Sequence, residues 1–258
     1  MRSSRFTGQE FQILWSAYGR DRLPYPLRFR TAIRDFDELK AEREKAVESL
    51  LAKYDPSIER AMETLVDPEA RIELKGFVGQ ANPRIIRFFG AVRAEAGATL
   101  DQEPGPTYDV GGDVVLKFGT ADQVADAAVA ALPSCEPGRR APIEIRRERI
   151  AAEDEHFEFR VGAVSAVDQL DRMFGRPRSA HGEIAAYSGG AVDSRPTDSV
   201  RTFWWMDYPD GRYYVRTGDP IIAEPLDSAR LAAGVGAMLR RAQRQHSGNS
   251  TDGSQRVE

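Results

Sequence analysis

Residues 201–216 read RTFWWMDYPDGRYYVR. The stretch holds two of the three tryptophans of the chain, beside Phe203, Met206 and three tyrosines. Tyr208-Pro209-Asp210-Gly211 has turn chemistry at each position. Proline is preset for the first central position of a type I turn, aspartate suits the second, and glycine tolerates the left-handed backbone of a bulge. Such a turn pairs Tyr208 with Arg212. Counting back then sets Asp207 opposite Tyr213, Met206 opposite Tyr214, Trp205 opposite Val215 and Trp204 opposite Arg216. Strand alternation sorts the faces. Phe203, Trp205, Tyr213 and Val215 read as the core face. Trp204, Met206, Tyr208, Arg212, Tyr214 and Arg216 read as the other. Aromatics mixed with Met and Arg are what interface cores favour, and burying one such ring is worth about 1.5–3 kcal/mol. That face is therefore expected to be covered, either by a helix or a second copy of the chain, or by a partner. A two-residue turn would swap the faces of the second strand and undo this sorting.

Working outward, the hairpin is one of a pair. Arg87, Phe89 and Gly97 match Arg201, Phe203 and Gly211 at a constant offset, and each hairpin is followed by an apolar strand and a helix. Two copies of hairpin, strand and helix predict an α+β domain over residues 1–245, with a mostly antiparallel sheet flanked by helices and two pseudo-symmetric halves, about 1–140 and 141–245. In that alignment Gly90 is the counterpart of Trp204 and Val92 of Met206. Aromatic enrichment in only one half places a partner off the axis.

Ahead of the first hairpin, Thr7 and Glu10 form a capping box with Phe6 and Phe11 at staple positions. Phe11, Leu14, Trp15 and Tyr18 then follow the helical period and Gly19 closes the end. Residues 21–29, with two prolines, read as extended. A charged helix over 35–53 is expected to turn Phe36, Leu39, Val47, Leu50 and Leu51 inward, and a shorter helix over 57–66 follows Pro56. Strands are expected at 70–78, 84–94, 98–103 and 113–118, with a helix capped by Thr120 and Gln123. The second half has a helix near 166–174, strands at 182–187, 199–208 and 212–217, and a last helix over about 227–244. Leu231, Val235 and Met238 lie on the inner stripe of that helix, where they pack into the core or line a groove beside the hairpin. Arg240, Arg241 and Arg244 suit the negative end of its dipole. Residues 246–258 are polar and read as a disordered tail.

Chemistry is hard to find. The chain carries a net charge of −4, which gives no electrostatic footprint for nucleic acid. Its Arg cluster at 139–149 is interrupted by Glu144 and Glu148. Cys135 is the single cysteine, so no disulfide forms within the chain and a reducing, cytoplasmic setting is expected. No apolar run approaches the roughly 20 residues that span a bilayer. His156, His181 and His246 lack partners at metal-ligand spacing and read as exposed polar residues. Glu153, Asp154 and Glu155 read as a solvated run. There is no nucleophile elbow and no phosphate loop. Neither metal nor cofactor is expected. A small-ligand enzyme, its site assembled from distant residues such as His181 and Asp207, stays open as an alternative, as does a homodimer buried through the hairpin face.

Four stretches together resemble a known family: EFQILWSAYGRDRLPYPL (10–27), FGRPRSAHGEI (174–184), DYPDGRYYV (207–215) and LDSARLAAGVGAML (226–239). They are similar, in order and over roughly 6–243, to the EspG family of ESX (type VII) secretion-associated proteins of actinobacteria. The resemblance implies a cytosolic chaperone that binds the hydrophobic helical tip of the PPE protein in a PE–PPE heterodimer and keeps it soluble. It also implies one α/β domain with quasi-symmetric halves, a recognition surface on the sheet and C-terminal helical region, and no catalytic motif. The residues nominated for that surface are Trp204, Met206, Tyr208, Arg212, Tyr214 and Arg216, with Leu231, Val235 and Met238 beside them.

Overall fold

The computed structural model describes residues 1–155, 164–191 and 198–253. They build a ten-stranded, wholly antiparallel sheet in the order β1-β5-β4-β3-β2-β7-β8-β9-β10-β6. The strands are β1 (Arg2–Phe6), β2 (Ala70–Val78), β3 (Arg84–Arg93), β4 (Ala96–Thr107), β5 (Val110–Thr120), β6 (Ile143–Ile145), β7 (Ala180–Ser188), β8 (Arg201–Tyr208), β9 (Gly211–Arg216) and β10 (Ile221–Pro225). The helices are α1 (Gly8–Ala17), α2 (Phe36–Lys53), α3 (Pro56–Val66), α4 (Asp122–Ala130), α5 (Arg147–Glu155), α6 (Ala166–Phe174) and α7 (Ser228–Gly253). The order is symmetric about the β2–β7 pair. On each side a chain segment runs edge strand, helices, four antiparallel strands, helix.

Local chemistry explains most boundaries. Glu10 N donates to Thr7 Oγ1 at 3.2 Å and Thr7 N to Glu10 Oε2 at 2.8 Å, the reciprocal capping box at the start of α1. Lys53 Nζ, at the far end of α2, reaches the same carboxylate at 2.8 Å. Asp35, Asp55 and Ser165 cap α2, α3 and α6 with their side chains. At α4 only the reverse half of the expected box forms: Gln123 Oε1 accepts from Thr120 N, and Ala121 holds the cap position without a side-chain bond.

Three cores result. One lies between the sheet and α4 with α7, and includes Ile72, Leu74, Phe88, Val124, Trp205 and Val235. The second lies on the opposite face under α1 and α3, around Phe11, Trp15, Met62, Phe89 and Leu100. The third is smaller and lies under α6, where Met173 meets Met206, Tyr208, Tyr213 and Val215.

Several expectations change here. The repeat aligns by the two turns, Arg93 opposite Ala96 and Tyr208 opposite Gly211, so equivalent residues are one position further apart than the sequence matches imply. Gly90 therefore corresponds to Trp205, and Phe88, not Phe89, to Phe203. Phe88 and Phe203 share one core, whereas Phe89 lies on the other face. Helix α2 packs on α1 with Leu50 as its buried apolar residue and with Lys53 on Glu10; Phe36 and Leu51 are 77% and 70% exposed. Its apolar stripe is present, but the sheet does not extend beneath it. Residues 21–29 make a turn closed by Leu27 N to Pro24 O, not a plain extended run. Strand β6 and helix α5 arise where the Arg cluster was read. Helix α7 runs on to Gly253, through much of the expected tail, so Arg240, Arg241 and Arg244 lie mid-helix and not at its negative end. Residues 254–258 are outside the described residues.

Candidate functional site

Hairpin β8–β9 turns in two residues, Pro209-Asp210, so that Asp207 pairs with Arg212, Met206 with Tyr213, Trp205 with Tyr214 and Trp204 with Val215. This overturns the register expected from the turn sequence, and the cause is non-local. Arg212 N donates to Glu136 O at 2.7 Å, and Gly138 N donates to Arg212 O at 2.9 Å. The 136–138 segment thus takes the backbone groups that a longer turn would have spent on Tyr208. The Asp207 carboxylate locks the result by accepting two bonds from the Arg212 guanidinium, at 2.7 and 2.8 Å. Both side chains are 2% exposed. A buried pair of this kind is strongly destabilised when one partner is removed, so it fixes register more than it adds stability.

The one-residue slip moves every β9 side chain to the other face. Phe203, Trp205, Asp207, Arg212, Tyr214 and Arg216 share the α7 side. Trp204, Met206, Tyr208, Tyr213 and Val215 share the α6 side. The nominated patch is therefore split in two. Met206 and Tyr208 are buried under α6, with Arg176 stacked 4.0 Å from the Tyr208 ring centroid. Arg212 is buried in its ion pair. These three offer no free surface. Trp204 is half-buried on the α6 side. Tyr214 and Arg216 are half-buried on the α7 side.

On that α7 side the structure does leave a groove, about 520 Å³, between β8–β10 and α7. Phe203, Tyr214, Ile222, Leu226, Leu231 and Met238 give it an apolar lining. The Phe203 and Tyr214 rings lie 4.9 Å apart. Leu231 and Met238 lend the groove their edges while their bulk sits in the core, and Val235 is wholly core. Arg201, Arg216, Arg230, Arg241 and Arg244 stand around it with one acid, Glu224. Arg230 Nη2 donates to Glu224 at 2.7 Å. The Nε of Arg216 is buried with no hydrogen-bond partner among the described residues. Sequence reasoning placed Tyr214, Arg216, Leu231 and Met238 near this groove. It missed Arg201, Ile222, Leu226, Arg241 and Arg244, which only the β8–β9–β10 pairing and the unbroken α7 bring together.

Among the described residues, the groups considered for catalysis lie apart from this groove and are otherwise engaged. His181 packs on Phe77 with the rings tilted and their centroids 5.5 Å apart, and burial with nearby Arg178 pushes its pKa down. Burial, then Asp207, pushes the Cys135 thiol up, away from the thiolate. Glu153 is occupied with Arg149 and with the backbone N of Ala166. His156 and the side chains of Asp154 and Glu155 are outside the described residues. Among the described residues no group of three or more His, Cys, Asp or Glu is placed to hold a metal ion, and no helix is long and apolar enough to cross a membrane.

A model of the EspG family matches residues 7–237. The chain belongs to the EspG family. Among solved structures it is similar to the Mycobacterium tuberculosis type VII secretion system chaperone EspG5, solved in complex with a PE25–PPE41 dimer. The TM-score is 0.59 at 12% identity, covering 93% of this chain and 96% of that one. At that identity the likeness is one of fold, and it extends over both halves of the sheet. No curated protein matches the sequence. The α+β architecture expected from the sequence is shared with EspG5, and the groove beside α7 lies in a chain of the EspG family.

Proposed function

We propose that the protein is a cytosolic type VII secretion chaperone, not an enzyme, that holds the apolar helical tip of a PE–PPE-type heterodimer in the groove between β8–β10 and α7. The observation that carries this reading is the groove itself, an open apolar trough of about 520 Å³. Soluble chains seldom leave such a surface uncovered without a binding role. Family membership supports the chaperone role, and the EspG5 complex supplies the class of client. Masking follows from the geometry. A helix tip laid on Phe203, Tyr214 and Leu231 loses its contact with water, at about 25 cal/mol per Å² of apolar surface covered, and is kept from aggregating. Trp204, on the opposite face, stays outside this site.

The test is co-expression with the PE–PPE-type pair encoded nearby, followed by affinity capture of the pair. A complex that co-elutes in size exclusion, and that Tyr214→Ala weakens about tenfold, is the expected result. A client pair that never co-elutes, or whose affinity ignores Tyr214, counts against the groove.

A further inference from the structure

The groove has a charge as well as a shape. The chain as a whole carries −4, yet five arginines and a single glutamate line this trough. Arg230 is spent on Glu224. Arg201, Arg216, Arg241 and Arg244 have no ion pair among the described residues. A net-acidic protein thus presents a local positive rim around an apolar floor. Four guanidiniums around one trough, without carboxylates of their own chain, raise the local positive potential and favour an anionic occupant.

We infer that the groove selects an apolar helix end flanked by Asp or Glu side chains, with carboxylates of the client pairing with Arg201, Arg216, Arg241 and Arg244. This rests on the groove reading above and names the chemistry of its occupant. Guanidinium forks match carboxylates in a bidentate way that an ammonium cannot. The apolar floor requires greasy side chains between those acids, which a bare polyanion does not have. The rim therefore discriminates among helical clients that share a greasy tip: those with acidic flanks are held, those with basic flanks are repelled.

The experiment uses the full chain and three synthetic helical-hairpin peptides, fluorescein-labelled, with one apolar tip and Glu, Gln or Lys at the flanking positions. Polarisation is read at 50 and 300 mM NaCl. The Glu peptide is expected to bind about tenfold tighter at low salt and to lose most of that advantage at high salt, where the screening length falls from roughly 14 Å to about 6 Å. Arg241→Glu/Arg244→Glu is expected to abolish the advantage with the thermal midpoint unchanged, and a Lys-flanked peptide to recover binding to that variant. Equal binding of the Glu and Gln peptides overturns the charge inference and leaves the groove standing. Binding of neither, together with full capture of the PE–PPE-type pair by a protein whose groove is blocked at Gly234, overturns both. Anionic vesicles of phosphatidylglycerol or a 20-base-pair duplex binding as tightly as the Glu peptide also overturns it, since the rim would then be reading bare charge.

Discussion

Hairpins β3–β4 and β8–β9 take matching places on either side of the β2–β7 pair, but they carry very different side chains toward the helices. At Gly90 an added Cβ would come within 2.7 Å of Val124 and 2.8 Å of Ile72, and at Gly97 within 2.4 Å of Thr120 O. On the first-half hairpin Gly90 and Gly97 leave Phe88 as the large ring of that face, and α4 seats directly on β3, β4 and β5. The counterpart of Gly90 is Trp205, whose indole lies over Gly76 and Gly182; a Cβ at those glycines would meet it at 2.6 and 2.9 Å. Beside it stand Phe203 and Tyr214. On this half no helix takes the seat over the hairpin that α4 takes on the other. Helix α7 packs instead on α4, β7 and β2, toward the centre, and β8–β10 are left with a trough along their outer side. One half closes its own face under α4, and the other carries Trp205 and Tyr214 where the first has Gly90 and Thr99 and leaves a groove.

The largest effect should come from removing the Trp205 indole. Trp205→Ala is expected to cost about 3–5 kcal/mol, as buried Trp truncations do, and to lower Tm by roughly 10 °C or more at this chain length. Scanning calorimetry checks it; a near-native Tm would mean the indole does not anchor the core of this half. Next, Gly90→Leu imports bulk into the closed half. Overpacking against Val124 and Ile72 should cost about 1–3 kcal/mol, measured by urea unfolding, and a neutral result would break the contrast between the halves.

A smaller loss, about 1–2 kcal/mol, is expected for Glu10→Gln, which weakens the capping box and the Lys53 pair. The carboxyl is held below its ordinary range: burial raises it, but hydrogen bonds from Lys53, Ser49 and the Thr7 backbone outweigh that. Its folded pKa lies below its unfolded one, so its contribution is complete above the unfolded value and fades as pH falls through the folded one. Stability of the wild type should drop more steeply than that of the variant below about pH 4.5. Phe36→Ser and Leu51→Ser, on the open side of α2, should move stability by less than about 0.5 kcal/mol. A larger loss would mean that α2 is covered after all.

Much of this fold was legible because its signals are local. The Thr7–Glu10 box, the helix that starts at Pro56, and the presence of a turn at Pro209-Asp210 lie within a few residues of what they determine. The hairpin register was not, because Arg212 is claimed by Glu136 and Gly138 from far along the chain. Three-residue β6 exists only through its pairing with β10. The inward stripe of α2 was real as a pattern, but periodicity says which residues share a face and not whether anything lies beneath it. The site was half legible for the same reason. Tyr214 and Arg216 were found as part of an aromatic, Arg-rich hairpin, whereas their separation from Met206 and Tyr208 turned on one residue of register.

Gly234 offers the most direct test of the groove. It lines the trough on α7, and a Cβ there meets nothing within 4 Å. Gly234→Trp should fill the groove while leaving the core untouched, and replacing a helical glycine should leave Tm unchanged or slightly raised. The measurement is the affinity of this variant for the PE–PPE-type pair by titration calorimetry, beside its melting curve. A loss of at least about tenfold with an intact melt is predicted; full affinity with the trough plugged would place the client elsewhere and contradict the account.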